Sequence, residues 1–297
     1  MDYLSQFNVK NFLSAENKNK SKIKSDTLEP KISIVIASFN QGKFLERTIL
    51  SILNQLYKNH EIIIIDGAST DNSVEIIKKY ESLISYWVSE KDNGQTHAIN
   101  KGLKIATGNL LCFQNSDDLF CENSFEILAD FYLKNPNYDC YFGDLLLIDA
   151  DDNVTDILRT SEYELKSQII EGVQVFNQSF YFKKSVVERF GYLNESLRFV
   201  LDYENVLRWS YLGAKFIKVK NLLGAFRTHE DAKTSNLQNV RVTEHEIIKS
   251  NYFDLVFKNK KNIKLVYLYL RLKKLVYFIK NNNIAYLIYR FKKNNEA

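Results

Sequence analysis

The sequence of 297 residues has few cysteines and no arrangement of them that marks a metal or redox site. Cys112, Cys121 and Cys140 form no CxxC pair, and their odd number does not fit a complete set of disulfides. Free cysteines are typical of reducing compartments, where disulfides are rare. The three cysteines therefore predict buried thiols rather than a disulfide framework.

Long hydrophobic segments are also missing. No apolar run reaches the roughly 18 residues that a membrane-spanning helix needs, and the N-terminal region has no apolar stretch followed by a cleavage site. We therefore expect a protein of the cytoplasm or of a membrane surface. The hydrophobic content of 45% is enough for a sizeable core, and the net charge of +4 does not by itself indicate a nucleic-acid partner.

In the first half of the chain, buried-strand patterns of apolar residues alternate with apolar residues at helical spacing. Strands are predicted at residues 32–38, 61–66, 84–89 and 109–113, and helices at 43–54, 72–83 and 96–106. This alternation predicts βαβ units, and so an α/β fold on a parallel sheet. In the second half, strands are predicted at 138–148, 178–182, 215–219 and 223–227, and helices at 122–134, 163–171, 184–189 and 201–212. Residues 1–29, rich in Lys, Asn and Ser, predict a loosely ordered leader.

Three of the predicted strands end in polar residues: 38–40 (SFN), 66–68 (DGA) and 115–118 (NSDD). Turns favour Asp, Asn, Gly and Ser for conformational reasons alone, so one such end carries little information. Three of them on one rim favour a ligand site, because open α/β sheets bind ligands beyond the carboxyl ends of their strands.

Four motifs follow one another in this region: residues 34–40 (IVIASFN), 65–73 (IDGASTDNS), 92–95 (DNGQ) with 98–102 (AINKG), and 115–118 (NSDD). Together they resemble the nucleotide-binding half of glycosyltransferase family 2, strongly over residues 32–119 and more weakly through residue 235. The resemblance implies a GT-A fold, which is Rossmann-like. The catalytic domain would span residues 30–239, with a nucleotide-binding half at 30–120 and an acceptor half at 121–239.

The resemblance also implies which residues bind the donor. Ser38, Phe39 and Asn40 would line the base and ribose pocket, and Asp66 would accept a hydrogen bond from the ring N–H of uracil or thymine.

Three further positions lie in these motifs. Asn100 and Lys101 would lie above the pyrophosphate, with Lys101 as its counter-charge. Asp71 either caps the following helix or contacts the ligand.

A metal site is implied at residues 115–118. Asn115, Ser116 and Asp117 occupy the position of the family's DxD motif, which makes Asp117 the expected ligand of Mn²⁺ or Mg²⁺, cations that take oxygen ligands. Asn115 and Ser116 would contact the donor, although Asn115 stands where many members carry Asp, and one charge is lost. Asp118 would reach the metal through water or bind the sugar hydroxyls, or else cap the next helix.

Two motifs in the acceptor half, residues 121–239, are expected to face the acceptor. Residues 199–209 (FVLDYENVLRW) resemble the family's acidic motif, in which Asp202 matches the general base. An inverting transfer needs one carboxylate to take the acceptor's proton. The alternative for Asp202 is a carboxylate favoured only by the helix dipole. Gln178, within residues 177–182 (NQSFYF), is implied as an acceptor contact.

Residues 226–229 (FRTH) resemble a further motif of the subgroup. Arg227 would neutralise the diphosphate, and His229 would complete the metal shell or bind phosphate. A surface histidine without either role is the alternative.

The C-terminal segment, residues 240–297, is predicted as a basic amphipathic helical tail. Between Lys258 and Lys293 there are eleven Lys or Arg residues and no Asp or Glu, interleaved with 265–270 (LVYLYL), 275–279 (LVYFI) and 286–289 (YLIY). Residues 255–297 would lie either on an anionic membrane interface or on the catalytic domain with a solvated basic face. No nucleic-acid motif is present.

These expectations combine into one function. The chain would be an inverting, metal-dependent transferase that moves a hexosyl group from a UDP- or dTDP-sugar to a hydroxyl of a growing surface polysaccharide, lipid-linked at the cytoplasmic face of the cell membrane. Two alternatives stay open: transfer to a polyprenyl phosphate, and an inactive nucleotide-sugar-binding scaffold, which only Asn115 favours.

Overall fold

The computed structural model describes residues 3–14, 29–230, 238–257 and 262–296. A 3₁₀ turn (Tyr3–Gln6) and helix α1 (Lys10–Ser14) come first. The next elements alternate as the sequence predicts: β1 (Ile32–Ser38), α2 (Gly42–Leu53), β2 (His60–Asp66), α3 (Ser73–Lys79), β3 (Tyr86–Ser89), α4 (Gln95–Ile105) and β4 (Leu110–Asn115). They are followed by β5 (Leu119–Phe120), α5 (Ser124–Lys134), β6 (Cys140–Ile148), β7 (Val154–Leu158), α6 (Leu165–Glu171), β8 (Phe180–Lys183), α7 (Lys184–Phe190), α8 (Leu201–Tyr211) and β9 (Phe216–Arg227).

Within the described residues the nine strands form one mixed sheet in the order β3-β2-β1-β4-β8-β6-β9-β5, and β7 pairs with β6. β1 runs parallel to β2 and to β4, and β2 runs parallel to β3. The acceptor half adds antiparallel pairings, β4 with β8 and β6 with β8. Since β1 to β4 are parallel, their carboxyl ends meet at one edge of the sheet.

The sheet is buried on both faces. In β1, Ile32, Ile34 and Ile36 belong to one hydrophobic cluster, and Val35 and Ala37 belong to another. Successive side chains of a strand point to opposite faces, so a strand with a packed layer on each side carries apolar residues at nearly every position. The nearly continuous run of β-branched residues in β1 reflects burial of the strand on both faces.

Two details of the second half differ from the sequence-based expectation. Residues 215–219 and 223–227 are not separate strands but the two ends of β9, which pairs with β6 through register shifts near Asp144. β5 and β7 were not expected. β5 has only two residues, too few to show an alternating pattern.

The N-terminal segment is more ordered than the predicted leader. In α1, Phe12 is buried, and Val9 just before it packs in a cluster with Leu119, Ala225 and Phe278. Asn54 of α2 donates a hydrogen bond from Nδ2 to the carbonyl of Phe12. Residues 3–14 therefore form part of the core, and residues 1–2 and 15–28 lie outside the described part of the chain.

Three helices follow β9: α9 (Gln238–Val256), α10 (Ile263–Lys280) and α11 (Ile284–Glu296). One side of this tail packs on the catalytic domain, where Phe257, Leu270, Phe278 and Tyr286 are buried. Packing on the domain was one of the two arrangements expected from the sequence. The boundary predicted at residue 239 is therefore not a break in packing. None of the described helices is both long and apolar enough to cross a membrane.

We predict that Phe278→Ala destabilises the whole catalytic domain. Phe278 is buried between α10, α11 and the N-terminal segment, and deleting a buried phenyl ring typically costs about 3–5 kcal/mol. Phe291→Ala is the matched control, because Phe291 of α11 is 70% exposed and should change stability by less than about 0.5 kcal/mol. Urea unfolding measures both, and equal effects would mean that the tail does not pack as described.

Candidate active site

A cleft of about 1050 Å³ opens at the carboxyl edge of β1, β2 and β4. Its walls bring together segments that are far apart in the sequence. Ser38, Phe39 and Asn40 come from the end of β1 and the loop after it, Ser116 and Asp117 from the loop after β4, and Gln178, Arg198 and Asp202 from the second half of the chain. Parallel strands place their C-terminal loops on one rim, which is why these polar residues meet.

The end of the cleft near β1 suits an aromatic, hydrogen-bonding ligand. Phe39 presents an exposed ring there, 60% accessible, although large apolar side chains are usually covered. The Ser38 hydroxyl is buried with no hydrogen-bond partner in the described ranges. Asn40 has a left-handed φ of 52° and accepts the backbone N–H of Thr70 on Oδ1. These contacts join the loops after β1 and β2 into one wall.

Asp66 supports this wall from below rather than lining it. Its carboxylate is fully buried and accepts hydrogen bonds from the backbone N–H and the hydroxyl of Ser69, and from the hydroxyl of Ser89. Gly67 and Ala68 line the cleft instead. The predicted contact with a base therefore has no counterpart in this geometry, in which Asp66 shapes the loop 67–70.

Asp117 and His229 form a pair at the floor of the cleft. His229 Nε2 lies 3.0 Å from Asp117 Oδ2, and the two side chains are 3% and 17% exposed. The His229 ring also packs on Phe44 of α2, with ring centroids 4.5 Å apart. His229 is thus a buried partner of Asp117, and the alternative of a lone surface histidine is wrong.

The donor set at this point fits a divalent cation that is shared with a diphosphate. Asp117 offers a carboxylate on the cleft and His229 an imidazole within reach of it. Within residues 3–14, 29–230, 238–257 and 262–296, no cluster of three or more His, Cys, Asp or Glu could enclose a metal by itself. Mg²⁺ and similar ions commonly bind through one or two protein ligands together with substrate phosphates. The site suits that arrangement.

Asp118 does not face the cleft. Its side chain is fully buried and accepts hydrogen bonds from Asn115 Nδ2, Gln178 Nε2 and the backbone N–H of Arg227. Burial raises the pKa of the Asp118 carboxyl, and the charge of Asp117 raises it further. Asp118 does not cap the following helix, whose N-cap is Asn123. Its side chain does not line the cleft, and its contact with a metal-bound water or a sugar hydroxyl stays a prediction.

The amides held by Asp118 do line the cleft. Asn115 donates to Asp118 and accepts on Oδ1 a hydrogen bond from Gln95 Nε2 at 2.8 Å. Gln178 donates Nε2 to the same carboxylate. A buried acceptor thus fixes which end of each amide faces the ligand, since an amide oxygen turned toward the carboxylate would be repelled.

Arg227 is a structural residue rather than a diphosphate ligand. Its side chain is fully buried and pairs with Asp152 at 2.6 Å. Nε donates to the carbonyl of Asp117, and a terminal nitrogen donates to the carbonyl of Asp149. It therefore holds the backbone of the loop after β4, and its own side chain does not line the cleft.

Asn100 and Lys101 also lie elsewhere. Asn100 is buried and exchanges hydrogen bonds with the backbone of Leu193, and Lys101 forms an ion pair with Glu90. The basic residues that line the cleft are Lys91 and Arg198 among the described ones. Sequence reasoning missed both, although Lys91 directly precedes the DNGQ motif, and that proximity was an available signal.

The remaining sequence-based expectations separate clearly. Asp202 lines the cleft from the first turn of α8, and its Oδ1 accepts the N–H of Tyr203. The Asp71 carboxylate accepts the N–H groups of Gly42 and Ser73, so it ties α3 to the start of α2. That arrangement supports the capping alternative for Asp71.

The family model for glycosyl transferase family 2 matches residues 33–191, which is more than half of the chain. The chain belongs to glycosyl transferase family 2. This membership makes the chain a glycosyltransferase, which confirms the activity that the sequence motifs predicted.

Relatives and solved structures agree with this assignment. Poly(ribitol-phosphate) β-N-acetylglucosaminyltransferase TarP of Staphylococcus aureus is 29% identical over 257 residues, which is 77% of this chain and 75% of the relative. S. aureus TarS residues 1–349, solved with UDP-GlcNAc, matches with a TM-score of 0.59 at 16% identity and covers 79% of this chain and 75% of that one. The mannosyltransferase PcManGT from Pyrobaculum calidifontis, solved with GDP-Man and Mn²⁺, matches with a TM-score of 0.56 at 17% identity, with 79% and 66% covered. The predicted GT-A fold is confirmed.

One helix of the tail contributes to the cleft of the glycosyltransferase. Glu244 of α9 accepts the backbone N–H groups of Arg198 and Phe199 at 2.8 Å, and that of Val200 at 3.2 Å. These residues lead into α8, and Arg198 and Phe199 line the cleft. Backbone N–H groups at a helix start lack intrahelical partners. Glu244 supplies that partner from a different helix.

We predict that Glu244→Gln lowers the rate of sugar transfer. The amide cannot accept all three hydrogen bonds as a carboxylate does, and losing such a charged cap costs about 1–2 kcal/mol. If that cost falls on the geometry of the wall, kcat/KM should fall by about 5- to 30-fold. Glu246→Gln on the exposed side of α9 is the control. Equal rates for the two variants in a transfer assay would show that Glu244 does not shape the cleft.

Proposed function

We propose that this glycosyltransferase is an inverting, metal-dependent enzyme that transfers a sugar from a UDP- or dTDP-sugar to a hydroxyl of a growing, lipid-linked surface glycan. The observation that carries the proposal is the placement of two carboxylates in one cleft. Asp117 lines the cleft and pairs with His229, and Asp202 lines the same cleft from the first turn of α8. An enzyme that both binds a nucleotide diphosphate and removes a proton needs these two groups apart but in one cavity.

The donor end of the proposal is supported by the wall near β1. An exposed Phe39 ring can stack on a pyrimidine, and the unpartnered Ser38 hydroxyl can pair with a base or ribose. The likeness to TarS, solved with UDP-GlcNAc, agrees with a uridine nucleotide. Lys91 and Arg198 are the cations of the cleft wall, so they are the residues proposed to neutralise the diphosphate.

The metal would be held by Asp117 together with His229 and the diphosphate oxygens. A bound Mn²⁺ or Mg²⁺ supplies positive charge where the leaving diphosphate gains negative charge. The chain's own part is to keep Asp117 in place through the contacts of its loop with Arg227. The structure of PcManGT with Mn²⁺ supports metal use by analogy of fold.

The acceptor end depends on Asp202 and Gln178. Asp202 would take the proton from the acceptor hydroxyl while that oxygen attacks the anomeric carbon from the face opposite the diphosphate. Gln178 donates its N–H to Asp118, so its carbonyl oxygen is the end proposed to accept from an acceptor hydroxyl. One displacement of this kind inverts the anomeric configuration.

A glycan acceptor at the inner face of the cell membrane is the last part of the proposal. The relative TarP carries poly(ribitol-phosphate) in its name, which supports a polymeric acceptor. Cys112, Cys121 and Cys140 are buried free thiols, a state that suits a reducing compartment.

We expect Asp117→Ala to abolish transfer and to remove the effect of Mn²⁺ on UDP affinity. Asp117 is partly exposed at the cleft, so its loss should leave the fold intact. Titration calorimetry with UDP, with Mn²⁺ and with EDTA, measures the metal-dependent part of binding without any turnover. Asp130→Ala, at an exposed position of α5, is the control. Normal turnover by Asp117→Ala with EDTA-sensitive kinetics would show that another group binds the metal.

Asp202→Asn should reduce transfer by roughly 10²–10⁴-fold, because the amide keeps the shape but takes no proton. UDP-sugar affinity should persist. Glu195→Gln is the informative comparison, since Glu195 is a second carboxylate on the same cleft but pairs with Asn100. If Glu195→Gln caused the larger loss, Glu195 would be the base. NMR of the product anomer tests inversion separately, and a retained configuration would exclude the single displacement.

A further inference from the structure

The outer face of the tail is a broad apolar surface that nothing in the described structure covers. On α10 it consists of Leu265, Leu268, Leu272, Leu275 and Ile279, which are between 43% and 65% exposed. Ile284, Ile288 and Phe291 of α11 are 53%, 53% and 70% exposed. Monomeric soluble proteins rarely expose large contiguous apolar patches, and clustered exposed apolar side chains mark interaction sites.

The outer face is distinct from the side that packs on the domain. Positions 265, 268, 272, 275 and 279 repeat at intervals of three and four, so they share one side of α10. The residues of α10 that pack inward, Val266, Leu270 and Phe278, lie between them in the sequence. Helix α10 is therefore apolar on two sides, and stability of the domain explains only one of them.

Positive charge surrounds this apolar surface. Five basic residues pair with carboxylates of the catalytic domain: Arg271, Lys273, Lys274, Arg290 and Lys293. Lys264, Lys280 and Lys292 are exposed, and no ion pair with another described residue is seen for them. Residues 262–295 contain no Asp or Glu. The tail thus presents apolar side chains with cations at their edges.

We propose that the outer face of α10 and α11 docks on an anionic lipid bilayer, with its leucines and Phe291 in the interface and its lysines on the lipid headgroups. This deepens the proposed function, because it rests on a lipid-linked acceptor as the reason for the enzyme to work at a membrane. Amphipathic helices that lie in a membrane interface combine these two features, a buried apolar stripe and flanking Lys or Arg.

A second copy of this chain is the competing occupant, and the charges disfavour it. Two such faces in contact would bring together cations without carboxylates to pair with, which destabilises an interface. The outer face is also wider than the narrow apolar seam of a coiled coil, because the exposed Tyr269 and Val276 lie beside the row of positions 265, 268, 272, 275 and 279. Exposed Tyr267 and Tyr269 suit a lipid headgroup region, where amphipathic rings are enriched.

Vesicle sedimentation of the full chain tests the proposal with two variants. Leu268→Ser/Leu272→Ser/Leu275→Ser removes apolar contacts, and binding should weaken by about tenfold per residue. Lys264→Gln/Lys280→Gln/Lys292→Gln removes charge, and binding to phosphatidylglycerol-containing vesicles should weaken by about fivefold per lysine. The intact chain should bind phosphatidylcholine vesicles weakly, and high salt should release part of it from anionic vesicles.

Matched controls make the result specific to this face. Lys78→Gln/Lys166→Gln/Lys220→Gln removes the same charge from exposed positions of the catalytic domain, and Leu83→Ser changes an exposed leucine elsewhere. Both should bind vesicles as the unchanged chain does. Light scattering measures the molecular mass of the intact chain and of the leucine variant, and so tests whether a second copy of the chain covers this face. Failure of the intact chain to bind anionic vesicles, or a mass that drops from dimer to monomer in the variant, would overturn the proposal. Neither result depends on transfer activity, so the proposed reaction is tested separately.

Discussion

The buried guanidinium of Arg227 is the contact on which the arrangement of the site depends. It joins the last residue of β9 to the loop after β4 through the carbonyl of Asp117, and to the β6–β7 connection through Asp149 and Asp152. The guanidinium also stacks over the ring of Phe44 in α2, with 4.9 Å between the guanidinium carbon and the ring centroid. A buried charge is tolerated only when it is paired and hydrogen-bonded. Loss of Asp152 would leave the Arg227 guanidinium without its charged partner, and loss of Arg227 would leave two backbone carbonyls without its N–H donors.

A second buried ionisable group lies one residue from Asp117. Asp118 lies under the cleft and gathers donors from Asn115, Gln178 and the backbone of Arg227. The sheet brings these groups close, but only a buried acceptor decides how the two amides point. The orientation of two amides in the lining of the cleft is thereby set by one buried carboxyl group that does not itself line the cleft.

The tail completes the site from outside the sheet. Glu244 holds the loop at residues 198–200, and the neighbouring part of α9 packs with α6 and α8 through Tyr252 and Phe253. A catalytic domain that ended at residue 239 would lose this support. The helices beyond β9 therefore serve two surfaces: an inner side that belongs to the active-site scaffold, and the outer face with its leucines and lysines.

The sequence predicted strands and helices well where the spacing of apolar residues reflects burial. It predicted the roles of individual side chains less well. Strands β1 and β2 are buried at almost every position because both of their faces are covered, and their runs of Ile and Val make that burial visible in the sequence alone. Ser38, Phe39, Asn40, Ser116, Asp117, Gln178 and Asp202 were predicted from motifs and do line one cleft. Asp66, Asn100, Asp118 and Arg227 belong to the same motifs but are buried beneath it.

The reason for this division lies in the geometry of a strand end. Residue types such as Asp, Asn and Arg recur at a ligand site both because they contact the ligand and because they satisfy the backbone groups of the loops that do. The two uses have the same composition, and a motif cannot separate them. Burial does: a carboxylate with three donors and no exposed surface is out of reach of a substrate in the cleft. On that criterion Asp117 and Asp202 are the acidic residues to test first for chemistry, and Asp66 and Asp118 are those to test for positioning.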